Sequence, residues 1–293
     1  MKVQDVIDEL ATGAVTRIMF HGIPAIALKG PQGASAIVSL QGAQVLSWIP
    51  AGGQEWLYLS ESSDFSGKTA IRGGVPVCFP QFSSQGALPK HGLVRCVPWQ
   101  LLGQHADDTS ASVTLGLGDS AGTRELWPHS FSIKLTTRLS VHELMISFEV
   151  ENTGKQAFSF TAALHTYLRI GDIGAVQIEG LGGVAFRDAA NDNREMTQAE
   201  PVLRIDGEVD RVYHVAPKLL KVCEPKRGLV IQSQGFKETV VWNPGAGKCA
   251  ALNDMPEDGY RQMVCVEAAC ADASVELMPG QRWVGSQEFS QPR

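Results

Sequence analysis

This sequence predicts an all-β protein, a sandwich of antiparallel sheets with few and short helices. Three observations lead there. Apolar and polar residues alternate at period two along several segments, the pattern of strands with one face in a core. Thirty glycines and 15 prolines break the chain into short pieces. Almost no stretch carries the 3.6-residue apolar repeat of a long amphipathic helix.

Taken in order, residues 4–11 fit a short helical lead-in, and strands are expected at 35–41, 45–49, 55–59 and 111–117. The clearest alternation follows. Phe131, Ile133 and Leu135 are interleaved with Ser132, Lys134 and Thr136; Leu144, Ile146, Phe148 and Val150 with Met145, Ser147 and Glu149. Phe158, Phe160, Ala162 and Leu164 then alternate with Ser159, Thr161, Ala163 and His165, after a turn at Asn152-Thr-Gly154. Further strands are expected at 175–180, 229–233, 238–242, 262–268 and 273–278, with the polar stretch 187–200 as a surface loop. With no internal repeat and no low-complexity linker, one domain over residues 1–293 is expected.

At 293 residues and 44% hydrophobic, the chain can bury a full core unaided by disulfides or metal. Its 25 Lys and Arg against 31 Asp and Glu give a net charge of -6, which argues against nucleic acid or an anionic membrane as partner. Cysteines 78, 96, 223, 249, 265 and 270 are scattered without CxxC pairs, so reduced, buried thiols and no metal site are expected. No run reaches the roughly 18 apolar residues of a membrane helix. Asp5, Asp8 and Glu9 are wrong for a secretory signal, which makes the cytoplasm the expected compartment.

Chemistry concentrates in residues 70–95, AIRGGVPVCFPQFSSQGALPKHGLVR, where Arg72, Lys90, His91 and Arg95 sit among glycines and prolines. Such a loop can bring cations to an oxyanion, although the same composition fits an ordinary solvated loop. His165 ends a strand on the face opposite its phenylalanines, placing it toward solvent or a cleft. It suits general acid–base work as well as a hydrogen-bonded structural role. Glu267, in RQMVCVEAAC, shares a face with Cys265 and Ala269 and lies between apolar neighbours. Burial there would raise its pKa and suit it to proton transfer; a structural pairing with an arginine is the alternative. Asp210 in GEVDRVY and the segment VVWNP at 240–244 supply groups for sugar hydroxyls and, in Trp242, a stacking ring, or else turn and core residues. Nucleotide-binding glycine loops and the GxSxG elbow are absent from the sequence.

Together, AIRGGVPVCFPQF, LPKHGLVR, ALHTYLRI, EVDRVY, VVWNP and MVCVEAA, in this order, resemble the glucose-6-phosphate 1-epimerases, or hexose-6-phosphate mutarotases. These belong to the aldose 1-epimerase, galactose mutarotase-like superfamily, and the resemblance spans about residues 18–290. It implies a β-supersandwich with an open cleft, no cofactor and no metal. It implies His165 as general acid and Glu267 as general base in exchanging the anomers of a hexose 6-phosphate, glucose 6-phosphate first. Arg72, Lys90, His91, Arg95 and Asp210 would bind substrate, the arginines near the phosphate and Asp210 at sugar hydroxyls. Lys90 stands where the family often has Gln, and Gly245 where it often has an aromatic, which bears on sugar preference. The partner implied is a small sugar phosphate, and a monomer is expected. Three other readings are a mutarotase of unphosphorylated aldoses such as galactose, a non-catalytic sugar-phosphate binding protein on the same fold, and a structural or interaction protein using the sandwich surface, which leaves the cation loop unexplained.

Overall fold

Alternation at period two builds two large antiparallel sheets and a small one. The computed structural model describes residues 13–291, so the lead-in expected at 4–11 lies outside the described residues. Nine strands form one sheet, in which Glu143–Asn152 lies between Phe131–Leu139 and Arg282–Ser290. Eight form another, with Met263–Leu277 flanked by Glu238–Asn243 and Phe158–Leu164. A four-stranded sheet runs from Ala14–Phe20 through Ile23–Lys29 and Ser35–Ser39 to Val45–Ile49.

The inward faces of the large sheets share one buried cluster. Ile133, Leu135, Ile146, Phe148 and Val150 come from the nine-stranded sheet, and Phe158, Phe160, Leu164, Val264 and Val266 from the eight-stranded sheet. Each such side chain contributes roughly 1.5–3 kcal/mol relative to exposure. The opposite parity of the eight-stranded sheet faces away from this core. The short strands of the sequence reading are largely in place, and among the described residues helix is confined to short pieces such as Ala121–Leu126 and Gly245–Ala250. Among the described residues no helix is long and apolar enough to cross a membrane.

Four expectations change. Residues 262–268 and 273–278 are one strand, Met263–Leu277, interrupted by a bulge: Phe160 pairs with Val275 but Ala162 with Cys270. The Glu238 carboxylate serves that bulge, accepting N–H bonds from Ala271 (2.5 Å), Asp272 (2.9 Å) and Ala273 (3.3 Å). Residues 55–59 form no strand; Leu57 and Leu59 make isolated bridges only. Glu55 accepts there from the N–H groups of Trp48 and Leu57, standing in for a ladder partner. The stretch 187–200 is no simple loop, because Ala185–Asp188 pairs with Arg194–Thr197 across a turn with Asp192 and Asn193 at positive φ. Finally, all six cysteines are free, but Cys96 and Cys223 are half-buried rather than buried.

Candidate active site

Cross-strand pairing sets the floor of a cleft on the outer face of the eight-stranded sheet. Directly opposed residues of antiparallel strands project to the same side. One row therefore runs Tyr167, Cys265, Trp242, Asp210, and the next Glu267, Val240, Val212. His165 follows strand Phe158–Leu164, its N–H bonded to Pro76 O at 2.9 Å, and so comes beside Glu267.

The 70–95 segment forms the wall. Its Val77–Cys78 pairs with Leu164 and Ala163 at the sheet edge. Two glycines allow the close approach: a Cβ on Gly74 (φ +59°) would lie 2.1 Å from Val45 O, and one on Gly92 (φ +80°) 2.1 Å from Phe79 O. Only glycine takes both the contact and the backbone angle. The cleft has a volume of about 300 Å³. All seven residues singled out from the sequence line it: Arg72, Lys90, His91, Arg95, His165, Asp210 and Glu267. Trp242, the candidate stacking ring, lines it as well, and the structure adds Tyr167, Lys248 and Asp254.

On the floor, His165 Nε2 lies 3.4 Å from Glu267 Oε1. His165 Nδ1 and Glu267 Oε2 are buried, with no hydrogen-bond partner among the described residues. Burial is the leading influence on both. It drives the His165 pKa well below the ordinary histidine value, with His91, Arg72 and Arg95 adding to the effect. It drives Glu267 well above the carboxylate range, assisted by Asp210 and opposed by Lys90. The pair therefore holds one proton between two groups in contact, and either placement leaves one donor and one acceptor.

The surroundings fix the imidazole. Tyr167 lies parallel to His165 at 4.8 Å between ring centroids, while His91 meets it edge-on at 5.2 Å. His91 is kept neutral: Ser83 N–H donates to its Nδ1 at 3.3 Å, Cys78 Sγ lies 3.2 Å from the same atom, and burial beside Arg95 and Lys90 pushes its pKa down to about 3. That leaves Nε2–H as the donor His91 offers elsewhere.

The cations are not equivalent. Arg72 donates from Nε and Nη2 to both oxygens of Asp254 and from Nη1 to Tyr167 Oη at 3.1 Å. Burial opposes its charge, yet these partners hold its pKa above the ordinary value. The fork expected to meet an oxyanion is thus already taken up, and Arg72 braces the tyrosine on which His165 stacks. Arg95 bonds Lys90 O at 3.0 Å, so one guanidinium positions the backbone of the other cation. Asp210 is raised, chiefly by burial. Asn243, one of the polar groups considered for sugar hydroxyls, is structural instead: it donates to Tyr260 O and Met263 O and accepts from Gly245 N–H. His165, Cys265 and Glu267 stand close enough to share an ion. Burial pushes the Cys265 thiol well up, and a thiol held protonated is a poor ligand.

Comparison with known proteins agrees with this architecture. The family model described as "Aldose 1-epimerase" matches residues 24–290. Proteins described as "putative glucose-6-phosphate 1-epimerase" are 36% identical in Escherichia coli K12, over 92% of this chain and 90% of theirs, and 33% identical in Cenchrus ciliaris, over 90% and 83%. The crystal structure of a "putative mutarotase" from Salmonella typhimurium superposes with a TM-score of 0.90 at 31% identity, covering 99% of both chains. The fold, the outer-face cleft and these matches together establish that the chain belongs to the aldose 1-epimerase family, enzymes of the isomerase class.

Proposed function

We propose that this enzyme interconverts the α and β anomers of a hexose 6-phosphate, glucose 6-phosphate first, with His165 and Glu267 as the acid–base pair. The observation that carries the reading is the 3.4 Å contact between His165 Nε2 and Glu267 Oε1 on the floor of a cleft walled by Lys90, Arg95 and Lys248. An acid and a base in contact match a reaction that moves one proton off O1 and one onto the ring oxygen. The cations suit a substrate that carries a dianion away from the reacting carbon.

In the opening step the Glu267 carboxylate takes the O1 proton and His165 Nε2–H donates to the ring oxygen. The C1–ring oxygen bond breaks and a C1–O1 carbonyl forms. Rotation about C1–C2 presents the other carbonyl face; the ring oxygen attacks it, returning its proton to His165 as Glu267 returns one to O1. Burial favours the neutral forms of both side chains. A sugar hydroxyl donating to Glu267 supplies the hydrogen bond the buried carboxylate lacks, which lowers its pKa and passes the shared proton to His165. In this reading Asp210 and His91 Nε2–H, both in the cleft lining, bind the sugar hydroxyls, and Trp242 gives the pyranose an apolar wall. The likeness to proteins described as glucose-6-phosphate 1-epimerases supports the phosphorylated substrate over a free aldose.

Replacing either partner tests the assignment. His165→Ala and Glu267→Gln should each lower kcat by on the order of 10²–10⁴-fold, with the circular dichroism spectrum and cooperative unfolding retained. Wild-type turnover by either folded variant would remove the pair from the mechanism.

A further inference from the structure

We propose that Lys248, together with Lys90, receives the phosphate of the substrate, and that Glu208 is its resting partner, displaced when the ester binds. This deepens the hexose-phosphate reading and rests on it. The cleft holds four cations, and they differ in what they are bound to. Arg72 gives its fork to Asp254 and Tyr167, and Arg95 donates to the Lys90 carbonyl. The Lys90 ammonium, by contrast, makes no hydrogen bond or ion pair with the described residues, and Lys248 is bound only to Glu208, at 2.9 Å. Both members of that pair are well exposed, at 43% and 37%, so the interaction is weak and easily exchanged for a doubly charged oxyanion.

Local backbone puts Lys248 in this place. Gly245 opens helix Gly245–Ala250 at φ +61°, and a Cβ there would lie 2.7 Å from Glu208 N. The missing Cβ lets the start of the helix rest on the Gly207–Glu208 backbone, two residues from Asp210 on the cleft floor. Lys248 then lines the cleft with Lys90 and Asp210. Its charge adds to the burial that lowers the pKa of Lys90 and partly offsets the burial that raises that of Asp210. Two ammonium groups that repel across an open cleft, one unpaired and one loosely paired, define a place that a phosphate dianion relieves. Lysine stems are long and rotatable, which suits an oxyanion whose position shifts as the ring opens and closes.

The test is the ratio of kcat/KM for glucose 6-phosphate to that for glucose, in the wild type and three variants. Lys248→Gln should lower the ratio about tenfold, mainly through the KM for the ester. Lys248→Arg should restore most of it, and Glu208→Gln should raise it by removing the competing carboxylate. An unchanged ratio in Lys248→Gln, with the wild-type preference for the ester intact, would overturn the role of Lys248. A wild type with no preference for the ester would instead overturn the phosphate reading itself.

Discussion

Glu267 is 1% exposed, and its Oε2 has no partner among the described residues, so its negative charge is disfavoured by the folded protein. Because the folded state raises its pKa, it holds its proton to higher pH than the unfolded chain does. Stability is therefore lost as pH rises from the ordinary carboxylate value, about 4.5, toward the folded value. Glu267→Gln removes the titrating group. Its urea midpoint, relative to wild type, should shift in favour of the variant as pH is raised from 5 to 8; a constant difference would show that the carboxyl is not strained by burial. At this scale the sequence exposed most of the site. His165 and Glu267 stood out because strand parity separated them from the core row, and Arg72, Lys90 and Arg95 because they crowd one glycine- and proline-rich loop; Lys248, on helix Gly245–Ala250, carried no such signal. The partners were hidden. Asp254 meets Arg72 across 182 positions, a pairing only the tertiary fold creates. Tyr167 shares the parity of His165, a usable signal, but the chain leaves the strand at Leu164 and resumes at Tyr167–Arg169, which breaks the pattern.

Among the elements, strand Met263–Leu277 carries the site, and its bulge depends on one side chain. Glu238 is 3% exposed, and its carboxylate satisfies three successive N–H groups of the bulge. Glu238→Ala would leave the buried Ala271 N–H unpaired and the half-exposed Asp272 and Ala273 N–H groups without this acceptor, at a cost of about 1–3 kcal/mol. Urea unfolding should show that loss as a lower midpoint, and an unchanged midpoint would mean that the bulge is held by other contacts. Strands with one face in the core, such as Phe131–Leu139 and Glu143–Asn152, were legible because burial alternates along them residue by residue. Gln100–Ala106 and Arg194–Thr197 were not, because their side chains are mostly exposed and no apolar row marks a face. Arg282–Ser290 was missed for a different reason: Gly285 and Gln287 occupy inward positions, so its buried parity does not read as apolar.

On the scale of the whole molecule, a chain of net charge -6 gathers four cations around one cleft on the outer face of a sheet. The sandwich core and the cleft use opposite parities of the same strands, so packing and chemistry are separated by a single residue step. That geometry is what allows an apolar strand such as MVCVEAAC to hold a buried acid without opening the core. We propose that this cleft exchanges the anomers of a hexose 6-phosphate. Magnetisation-transfer NMR between the α and β C1 protons of glucose 6-phosphate, with and without protein and beside the same experiment on glucose, tests it most directly. Exchange accelerated by the protein, and more strongly for the phosphate ester, is the predicted result; no acceleration for the ester would contradict it.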